Sequence, residues 1–397
     1  MKFFHTADWH LGKLVQGVYM TEDQEYILEQ FVQAVEEEKP DAVIIAGDLY
    51  DRAVPPTDAV HLLDNVLERI VLQLKTPVLA IAGNHDSPGR LNFGSKIMRD
   101  NGYHITGNLT KDMQPVILHD AHGEVHFHLV PFCDPSVVRN VYEDEEIRSH
   151  NDAAKKITEE IKANMDSEAR HVFVGHAFVT PYGEEEANTS DSERPLSIGG
   201  SEYVDATNFD AFHYTALGHL HQAHFVTNET IRYAGSPLKY SISEEKHKKG
   251  YYIVEMDGDG NVTLEKKLLV PRRDIRTVEA SLDELLEHSR NEDYVFIRLT
   301  DETPVLSPME KVRTVYPNAM HVERTNYMLS PGAEDTTEKM ERTKMSDIEL
   351  FHAFYKEVKG NEASAEAEEL FKEVLDELLK EENETNMTSK MKSAVTN

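Results

Sequence analysis

Seven side chains of the kinds that bind metal ions follow apolar runs at five places in the 397-residue chain. Two are carboxylates, four are imidazoles and one is an amide: Asp8, His10, Asp48, Asn84, His176, His219 and His221. Carboxylates and imidazoles without a thiolate form a mixed oxygen and nitrogen set that suits manganese, iron or zinc. Seven ligands exceed what one ion uses, and a carboxylate shared between two ions about 3.5–4 Å apart accounts for the surplus. The pattern therefore predicts a two-metal site with Asp48 as the bridging ligand.

Each of the five motifs would be weak alone, because an Asp-x-His pair is usually an ordinary loop and a lone Gly-His is usually structural. Their shared position gives them weight, since each motif follows an apolar run that indicates a buried strand. Ligands of open α/β sheets bind beyond the carboxyl ends of the strands, so these side chains can converge there. The two-residue spacing within Asp8-x-His10 and His219-x-His221 places both members of each pair on one side of an extended segment.

The strands that must position these residues alternate with amphipathic patterns in the first two-thirds of the chain. Apolar residues three and four apart over 21–39 and 58–74 predict helices between the first three strands. This alternation indicates a layered α/β fold in which helices pack on largely buried strands. The predicted strands are Lys2–Thr6, Ala42–Ala46, Val78–Ala82, His126–Val130, His171–Val174 and Tyr214–Leu217.

Composition limits the class of protein. With 40% hydrophobic and 28% charged residues, the chain is typical of a soluble globular protein of two or three domains. No apolar run approaches the roughly 18 residues of a membrane span. A single cysteine, Cys133, argues against a disulfide framework and favours a reducing, cytoplasmic setting. The net charge of −31 argues against the chain coating nucleic acid by itself, although metal ions or a basic partner could supply positive charge.

The motifs D-x-H, G-D-x-x-D, G-N-H-D, G-H and G-H-x-H resemble, in this order, those of the calcineurin-like metallophosphoesterase superfamily. More narrowly, this chain is similar to the bacterial SbcD family from residue 1 to about 256. Members of that family are the nuclease subunits of SbcCD complexes. The stretches that support this likeness are HTADWHLGK, GDLYDRAVPP, IAGNHDSPGRL, ALGHLHQAH and YAGSPLKYSISE. The resemblance implies a layered metallophosphoesterase β-sandwich flanked by helices, a small α+β capping domain and C-terminal helices.

The resemblance also implies roles for single residues. Two divalent ions, expected to be Mn²⁺, would be held by two ligand sets: Asp8, His10, Asp48 and His221 for one ion, and Asp48, Asn84, His176 and His219 for the other. His85 is expected to be the catalytic histidine beside the scissile phosphate and not a ligand.

Three further residues have less definite expectations. Archaeal and eukaryotic relatives have a histidine where this chain has Asp51, so the role of that histidine does not transfer. Asp51 is instead expected to support a ligand or Arg52 from behind. Arg90 is expected either to contact phosphate or to form a structural ion pair. By contrast, His126 and His128 are expected to be structural because no carboxylate-bearing strand end accompanies them, and His5 is expected to be structural because it lies inside the first strand.

The chain is expected to divide into five segments. They are a nuclease domain at 1–270, a capping and DNA-selecting domain at 271–328, a linker at 329–345, helices at 346–382 and a disordered tail at 383–397. The helices could pack on their own globule, but beyond a linker their apolar stripes favour docking on a partner. The resemblance identifies that partner as an SbcC-type SMC-like ATPase.

Three classes of function remain open. The resemblance implies a DNA nuclease, both a double-strand 3′–5′ exonuclease and a single-strand or hairpin endonuclease, which acts in replication, recombination and repair. It also implies a homodimer within a heterotetramer, a cytoplasmic, nucleoid-associated location and no membrane association. A phosphatase acting on phosphoproteins or small phosphoesters is the alternative, although Ala53 replaces a glycine of the phosphatase motif. A metal-free scaffold is disfavoured, because no ligand of the pattern is missing.

Overall fold

The structure, a computed structural model, describes residues 1–183, 190–193, 196, 202–301, 303–324, 347–359 and 362–375. It forms two compact units. The first comprises residues 1–277 with 292–296, and the second comprises 278–291 with the described residues from 297 onward. None of the described helices combines the length with the hydropathy that a bilayer-spanning segment needs.

The first unit contains two six-stranded sheets. In the first sheet the strands lie in the order Val262–Leu268, Gly250–Met256, Lys2–Thr6, Ala42–Ile45, Val78–Ile81 and Tyr103–Thr106. The last four of these strands are parallel to one another, and the first two are antiparallel to their neighbours. Parallel strands covered on both faces consist of continuous apolar residues, as the two strands at 42–45 and 78–81 do.

The second sheet also has parallel central strands, but both of its edge strands are antiparallel. Its strands lie in the order His224–Phe225, Ile231–Tyr233, Tyr214–Gly218, Arg170–His176, Gly123–Leu129 and Val116–Asp120. The four central strands are parallel, while the two outermost strands are antiparallel to their neighbours. All six strands predicted from the sequence are present. The largest differences are that one begins at Gly123 instead of His126 and that another continues to His176.

The two sheets pack face to face. Phe3 of the first sheet contacts Phe127 and Tyr214 of the second, with ring centroids 5.5 and 5.7 Å apart. All three side chains are completely buried. Buried aromatic rings in edge-to-face contact contribute strongly to such a core. This packing confirms the layered sandwich that the sequence predicts.

Helices cover the outer faces of the sandwich. Phe31 of helix Thr21–Glu38 contacts Phe4 and Tyr251 of the first sheet. Ile157 of helix His150–Ala163 belongs to the apolar cluster that includes residues of the second sheet. The helix predicted over 58–74 is an α-helix at Thr57–Leu67 that continues as a π-helix at Glu68–Gln73.

Short elements complete this unit. The helices are Pro88–Leu91, Ser95–Arg99, Pro135–Tyr142 and the 3₁₀ turns Ala206–Phe209 and Ile242–Glu244. The paired short strands are Leu14–Val15 with Val18–Tyr19, and Phe178–Thr180 with Tyr203–Asp205.

The chain after residue 271 contains a three-stranded sheet made of Ile275–Ala280, Tyr294–Leu299 and His321–Arg324. Helices Leu282–Glu287 and Pro308–Val312 connect these strands, which confirms the predicted strand–helix–strand–helix–strand order. Farther along lie the helix Asp347–Lys359 and a helical stretch at 365–375. The predicted linker at 329–345 and the predicted tail at 383–397 fall outside the described residues, and the domain limits stay predictions.

Candidate metal centre

The seven predicted ligands lie at or just beyond the carboxyl ends of five parallel strands. Asp8 and His10 follow the strand Lys2–Thr6, and Asp48 and Asn84 follow the next two strands of the first sheet. The remaining ligands belong to the second sheet, where His176 ends its strand and His219 and His221 follow Tyr214–Gly218.

Asp48 has imidazoles from both sheets close to its carboxylate. Its Oδ2 lies 3.6 Å from His10 Nε2 and 3.4 Å from His176 Nε2. On one side, His10 Nε2 is 3.0 Å from His221 Nε2, and on the other, His176 Nε2 is 2.9 Å from Asn84 Oδ1. The fold therefore brings together residues that are up to 211 positions apart in the sequence.

Asp8 and His219 belong to the same cluster. The main-chain N–H of His219 donates to Asp8 Oδ1 at 2.9 Å, and the rings of His219 and His176 have centroids 5.5 Å apart. One ligand atom from each of Asp8, His10 and His221 lies within 4.8 Å of the other two, and the same holds for Asp8, Asp48 and His176.

Two features of these residues fit divalent metal ions. Asp8 Oδ2 is buried and has no hydrogen-bond partner among the described residues, which is costly unless something else satisfies it. In addition, His10 and His221 Nε2 lie 3.0 Å apart, so that both imidazoles present a ring nitrogen to the same point and would be able to share an ion.

Burial and neighbouring charges together shift the pKa values of these predicted ligands in the absence of ions. It raises the pKa of Asp8 to about 7, against the opposing charges of His176 and His221. Burial also acts to raise the pKa of Asp48, but the attraction of His176 and His10 outweighs it and holds that pKa well below its usual range. Burial lowers the pKa of His219 well below its ordinary value, which keeps this imidazole neutral as a ligand must be.

His176 differs from the other imidazoles. Burial acts to lower its pKa, but the nearby carboxylate of Asp48 dominates and raises the pKa to about 9. In the absence of ions this ring is therefore protonated at neutral pH. An ion bound at Nε2 must displace a proton, so binding is coupled to pH.

The backbone at four ligands has a positive φ, which is uncommon outside glycine. The φ angles are 55° at Asp8, 46° at His10, 52° at Asp48 and 110° at His219. Such conformations cost about 1–3 kcal/mol each and persist where the surrounding contacts hold them. Main-chain hydrogen bonds do so here, from Asp8 N–H to Gly47 O at 3.1 Å and from His10 N–H to Asp48 O at 2.9 Å.

Glycines allow the loops that bear these ligands to approach one another. A Cβ at Gly47, where φ is 92°, would lie 2.4 Å from His176 Nδ1. A Cβ at Gly83 would lie 2.2 Å from Asp48 Oδ1. Any side chain at either position would therefore displace a predicted ligand.

His85 lies beside the cluster and is held from two directions. Its main-chain N–H donates to Asp48 Oδ1 at 2.9 Å, and its Nδ1 lies 2.8 Å from the carbonyl oxygen of Asp51. Because a carbonyl only accepts hydrogen bonds, Nδ1 must be protonated, which leaves Nε2 for other partners. Burial lowers the pKa of this imidazole.

The three residues with less definite expectations lie in different surroundings. Asp51 Oδ1 pairs with Lys13 Nζ at 2.9 Å and lies 3.9 Å from His10 Nδ1. Arg52 is exposed, with Nη2 3.8 Å from Asp51 Oδ2. Arg90 is exposed in the helix Pro88–Leu91, and no contact joins it to the ligands within the described part of the chain.

The sequence patterns missed two residues that hold the ligand loops. Asp86 Oδ2 accepts from the main-chain N–H groups of Leu49 and Gly83 at 3.1 and 3.0 Å, and so joins the Asp48 loop to the Asn84 loop. Asp86 is the last letter of G-N-H-D, which is the signal that could have revealed it. Gln24 Nε2 donates to the carbonyl oxygen of His10 at 2.8 Å, and nothing in the sequence marks this helical residue.

The three histidines expected to be structural lie outside the cluster. His128 Nε2 is 3.0 Å from His171 Nδ1, and His126 Nε2 is 2.7 Å from Glu124 Oε2. His5 Nδ1 is 2.9 Å from the hydroxyl of Tyr214 in the sandwich core. Burial lowers the pKa of both His5 and His128 to about 3, so these rings are neutral parts of the core.

The two sheets, the predicted ligands at their strand ends and the family match together identify a phosphoesterase of the calcineurin-like class. The family model described as calcineurin-like phosphoesterase matches residues 1–223, and the model described as type 5 capsule protein repressor C-terminal domain matches residues 271–359. A curated relative from Staphylococcus epidermidis, the SbcD component of the nuclease SbcCD, is 34% identical over 386 residues. That similarity covers 96% of this chain and 100% of the relative. The chain belongs to the SbcD family of these phosphoesterases.

Two solved structures are partly similar at low identity. A protein of Thermus thermophilus is 11% identical, with a TM-score of 0.35, over 67% of this chain and 98% of its own. A dimetal phosphatase from Danio rerio is 12% identical, with a TM-score of 0.39, over 68% of this chain and 96% of its own.

The close approach at Gly83 gives a testable prediction. Replacing Gly83→Ala should displace the Asp48 carboxylate, lower the melting temperature and weaken Mn²⁺ binding by at least about tenfold, measured by calorimetric titration. Gly89→Ala is the matched control, because a Cβ at that position meets no atom within 4 Å. Unchanged Mn²⁺ affinity in a folded Gly83→Ala variant would contradict a ligand role for Asp48.

Proposed function

We propose that this chain is the metal-dependent nuclease subunit of an SbcCD-type complex. It acts as a double-strand 3′–5′ exonuclease and as a single-strand or hairpin endonuclease on DNA ends and secondary structures in replication, recombination and repair. The observation that supports this most is the convergence of all seven ligand-type side chains around Asp48. The near full-length similarity to a curated component of the SbcCD nuclease supports the choice of DNA as substrate.

The predicted ligands divide into the two sets that the family resemblance implies. Asp8, His10, Asp48 and His221 hold one ion, and Asp48, Asn84, His176 and His219 hold the other. Mn²⁺ ions held there would activate water near neutral pH and would offset negative charge on the phosphate oxygens. Asp48 keeps the two ligand sets together, because its carboxylate lies within 3.6 Å of an imidazole from each set.

His85 assists the departure of the leaving oxygen. Its Nδ1–H is bound to the carbonyl oxygen of Asp51, which fixes the ring and leaves Nε2 to hydrogen-bond the scissile phosphodiester. Protonated at Nε2, the imidazole gives its proton to the departing 3′ or 5′ oxygen. Acid catalysis of this kind typically contributes about 10²–10⁴-fold to the rate.

Asp51 and the two arginines have supporting roles. Asp51 holds Lys13 close to the site through the 2.9 Å contact of its Oδ1 with Lys13 Nζ, and the same oxygen lies 3.9 Å from His10 Nδ1. Arg52, in the segment after Asp48, and Arg90, in the helix Pro88–Leu91 after Asn84, are both exposed, so their guanidinium groups are available to DNA phosphates.

The segments outside the phosphoesterase sandwich serve substrate choice and assembly. Residues 1–270 form the nuclease domain, and 271–328 form a capping domain that helps to select duplex or single-stranded DNA. The strongly acidic chain needs help to bind DNA, and most of the affinity comes from the assembled complex. We place the complex in the cytoplasm at the nucleoid, where its DNA substrate lies.

The helices within 346–382 bind an SbcC-type SMC-like ATPase. Phe351 and Phe371 stack with ring centroids 4.2 Å apart, which pairs the two helices. The pair still exposes large apolar side chains, including 63% of Phe354 and 63% of Leu370. Apolar residues exposed on adjacent helices are typical of a surface that docks on another helical protein.

A second apolar surface supports a homodimer within a heterotetramer. Phe93 is 84% exposed and Ile97 is 77% exposed, in and beside the short helices at 88–99. Both residues are large, apolar and close together in the sequence. Exposed apolar residues of this kind are typical of a surface that is buried against a second copy of the chain.

The nuclease proposal is tested with purified chain, end-labelled linear duplex DNA and a generic phosphomonoester. We expect DNA cutting that requires Mn²⁺ and stops with chelator. The variant His85→Gln should lose about 10²–10⁴-fold in rate while it binds Mn²⁺ as the parent does. His119→Gln, at a surface position of the second sheet, is the matched control and should cut normally.

Two outcomes would count against this proposal. Turnover of the phosphomonoester without DNA cutting would favour the phosphatase alternative. Loss of Mn²⁺ binding together with activity in His85→Gln would show that His85 is a ligand and not the catalytic acid.

The partner proposal is tested by replacing exposed apolar residues of the two helices with charged residues. The double substitution Phe354→Glu with Leu370→Glu should abolish binding to the purified ATPase in size-exclusion and pull-down measurements, because it places two charges in an apolar interface. Leu268→Glu, at a 58% exposed position on the edge of the first sheet, should leave binding intact. Undiminished binding by the double variant would mean that the ATPase docks elsewhere.

A further inference from the structure

A buried ion pair lies directly behind His221. The side chain of Glu244 has no exposed surface, and Lys249 is 8% exposed. Lys249 Nζ lies 2.5 Å from Glu244 Oε2. Neither residue belongs to the seven ligand-type side chains, although Glu244 is the last residue of the family-like stretch YAGSPLKYSISE.

This pair contacts His221 at both its side chain and its main chain. Glu244 Oε1 is 3.1 Å from His221 Nδ1, and Lys249 Nζ donates to the carbonyl oxygen of His221 at 2.8 Å. Lys249 also donates to Ser236 Oγ at 2.8 Å, which anchors the ammonium group in place. His221 is therefore held at the ring and at the peptide by one charged pair.

The contact with Glu244 determines which ring nitrogen of His221 is protonated. An ionised carboxylate only accepts hydrogen bonds, so a ring nitrogen 3.1 Å from it must carry hydrogen. The hydroxyl of Ser192 also lies 2.8 Å from this Nδ1 and donates its own hydrogen to Glu244, so it accepts from the ring as well. In the neutral ring Nε2 then carries no hydrogen, and it faces His10 Nε2 at 3.0 Å in the cluster of predicted ligands.

The location of the pair argues against a purely structural role. Removing two charges from water is expensive, and a buried ion pair is commonly no more stabilising than apolar side chains of similar size. Glu244 lies in a 3₁₀ turn, Lys249 immediately precedes the first-sheet strand Gly250–Met256, and His221 follows a strand of the second sheet. The pair thus fixes a ligand from one sheet against an element of the other.

We propose that Glu244 and Lys249 are positioning residues for metal binding, which keep His221 in the tautomer with hydrogen on Nδ1 and hold its Nε2 toward one ion. The inference rests on the ligand role proposed for His221. It predicts that only the affinity for the ion held with Asp8 and His10 depends on the pair. The affinity for the ion held with Asn84, His176 and His219 should not change when the pair is removed.

The first test measures the tautomer in the metal-free parent chain by ¹⁵N NMR of histidine, with His221 assigned through a His221→Asn variant. We expect hydrogen on Nδ1 and none on Nε2 at a pH alkaline enough to keep the ring neutral. Hydrogen on Nε2, or an exchanging mixture of both tautomers, would overturn the proposal. This measurement needs neither metal nor DNA.

The second test removes the pair without leaving an unpaired buried charge. Glu244→Met with Lys249→Met should weaken the binding of one Mn²⁺ ion by about 10–100-fold and leave the other within about threefold of the parent, measured by calorimetric titration. Glu244→Gln with Lys249→Met should recover part of the loss, because the amide oxygen can still accept from Nδ1. The matched control is Glu265→Met with Lys267→Met, which removes an exposed pair whose atoms lie 2.7 Å apart.

The outcomes separate this inference from the nuclease proposal. A folded Met–Met variant that binds both ions as tightly as the parent would overturn it. If that variant does not fold, the His221 tautomer measured in the parent chain is the test of the proposal. A parent chain that binds two ions with the expected tautomer but does not cut DNA would support the positioning role and count against the nuclease.

Discussion

The burial of the Asp48 carboxylate between imidazoles of two sheets is the constraint on which the rest of the structure depends. Asp48 is only 2% exposed, and a carboxylate removed from water is costly unless opposite charges or donors surround it. His10, His176 and the main-chain N–H of His85 surround it here. Such a site needs several strand ends at one point, which a sandwich with parallel central strands in both sheets provides.

The loops that pack closely around this carboxylate are restricted in their residue types and backbone conformations. Glycines at 47 and 83 are required because a Cβ there would collide with His176 or Asp48. Positive φ angles at several ligands carry a conformational cost that the apolar sandwich and the loop hydrogen bonds sustain. Asp86, Gln24 and the pair formed by Glu244 and Lys249 contact these loops, so protein groups alone bring the predicted ligands together.

Much of the fold and the identities of the clustered residues could be predicted from the sequence, because both produce patterns among residues that are close together in the chain. The strand Ala42–Ile45 is a continuous apolar run, and Asp48 follows it directly. The contacts that hold the ligands could not be predicted, since they join distant residues by packing, as Leu49 and Asp86 do across 37 positions. The strand ending at His176 was also missed in part, because Gly175 is a weak strand former that made the run seem to end early.

Electron paramagnetic resonance of the parent chain titrated with Mn²⁺ tests the central claim most directly, because it reports whether two ions share a ligand. We predict that two equivalents bind and give the spectrum of a spin-coupled pair, and that Asp48→Asn abolishes the coupling. Two equivalents that give only the six-line signal of isolated ions, or a coupled spectrum that persists in Asp48→Asn, would contradict the account of Asp48 as the bridging ligand.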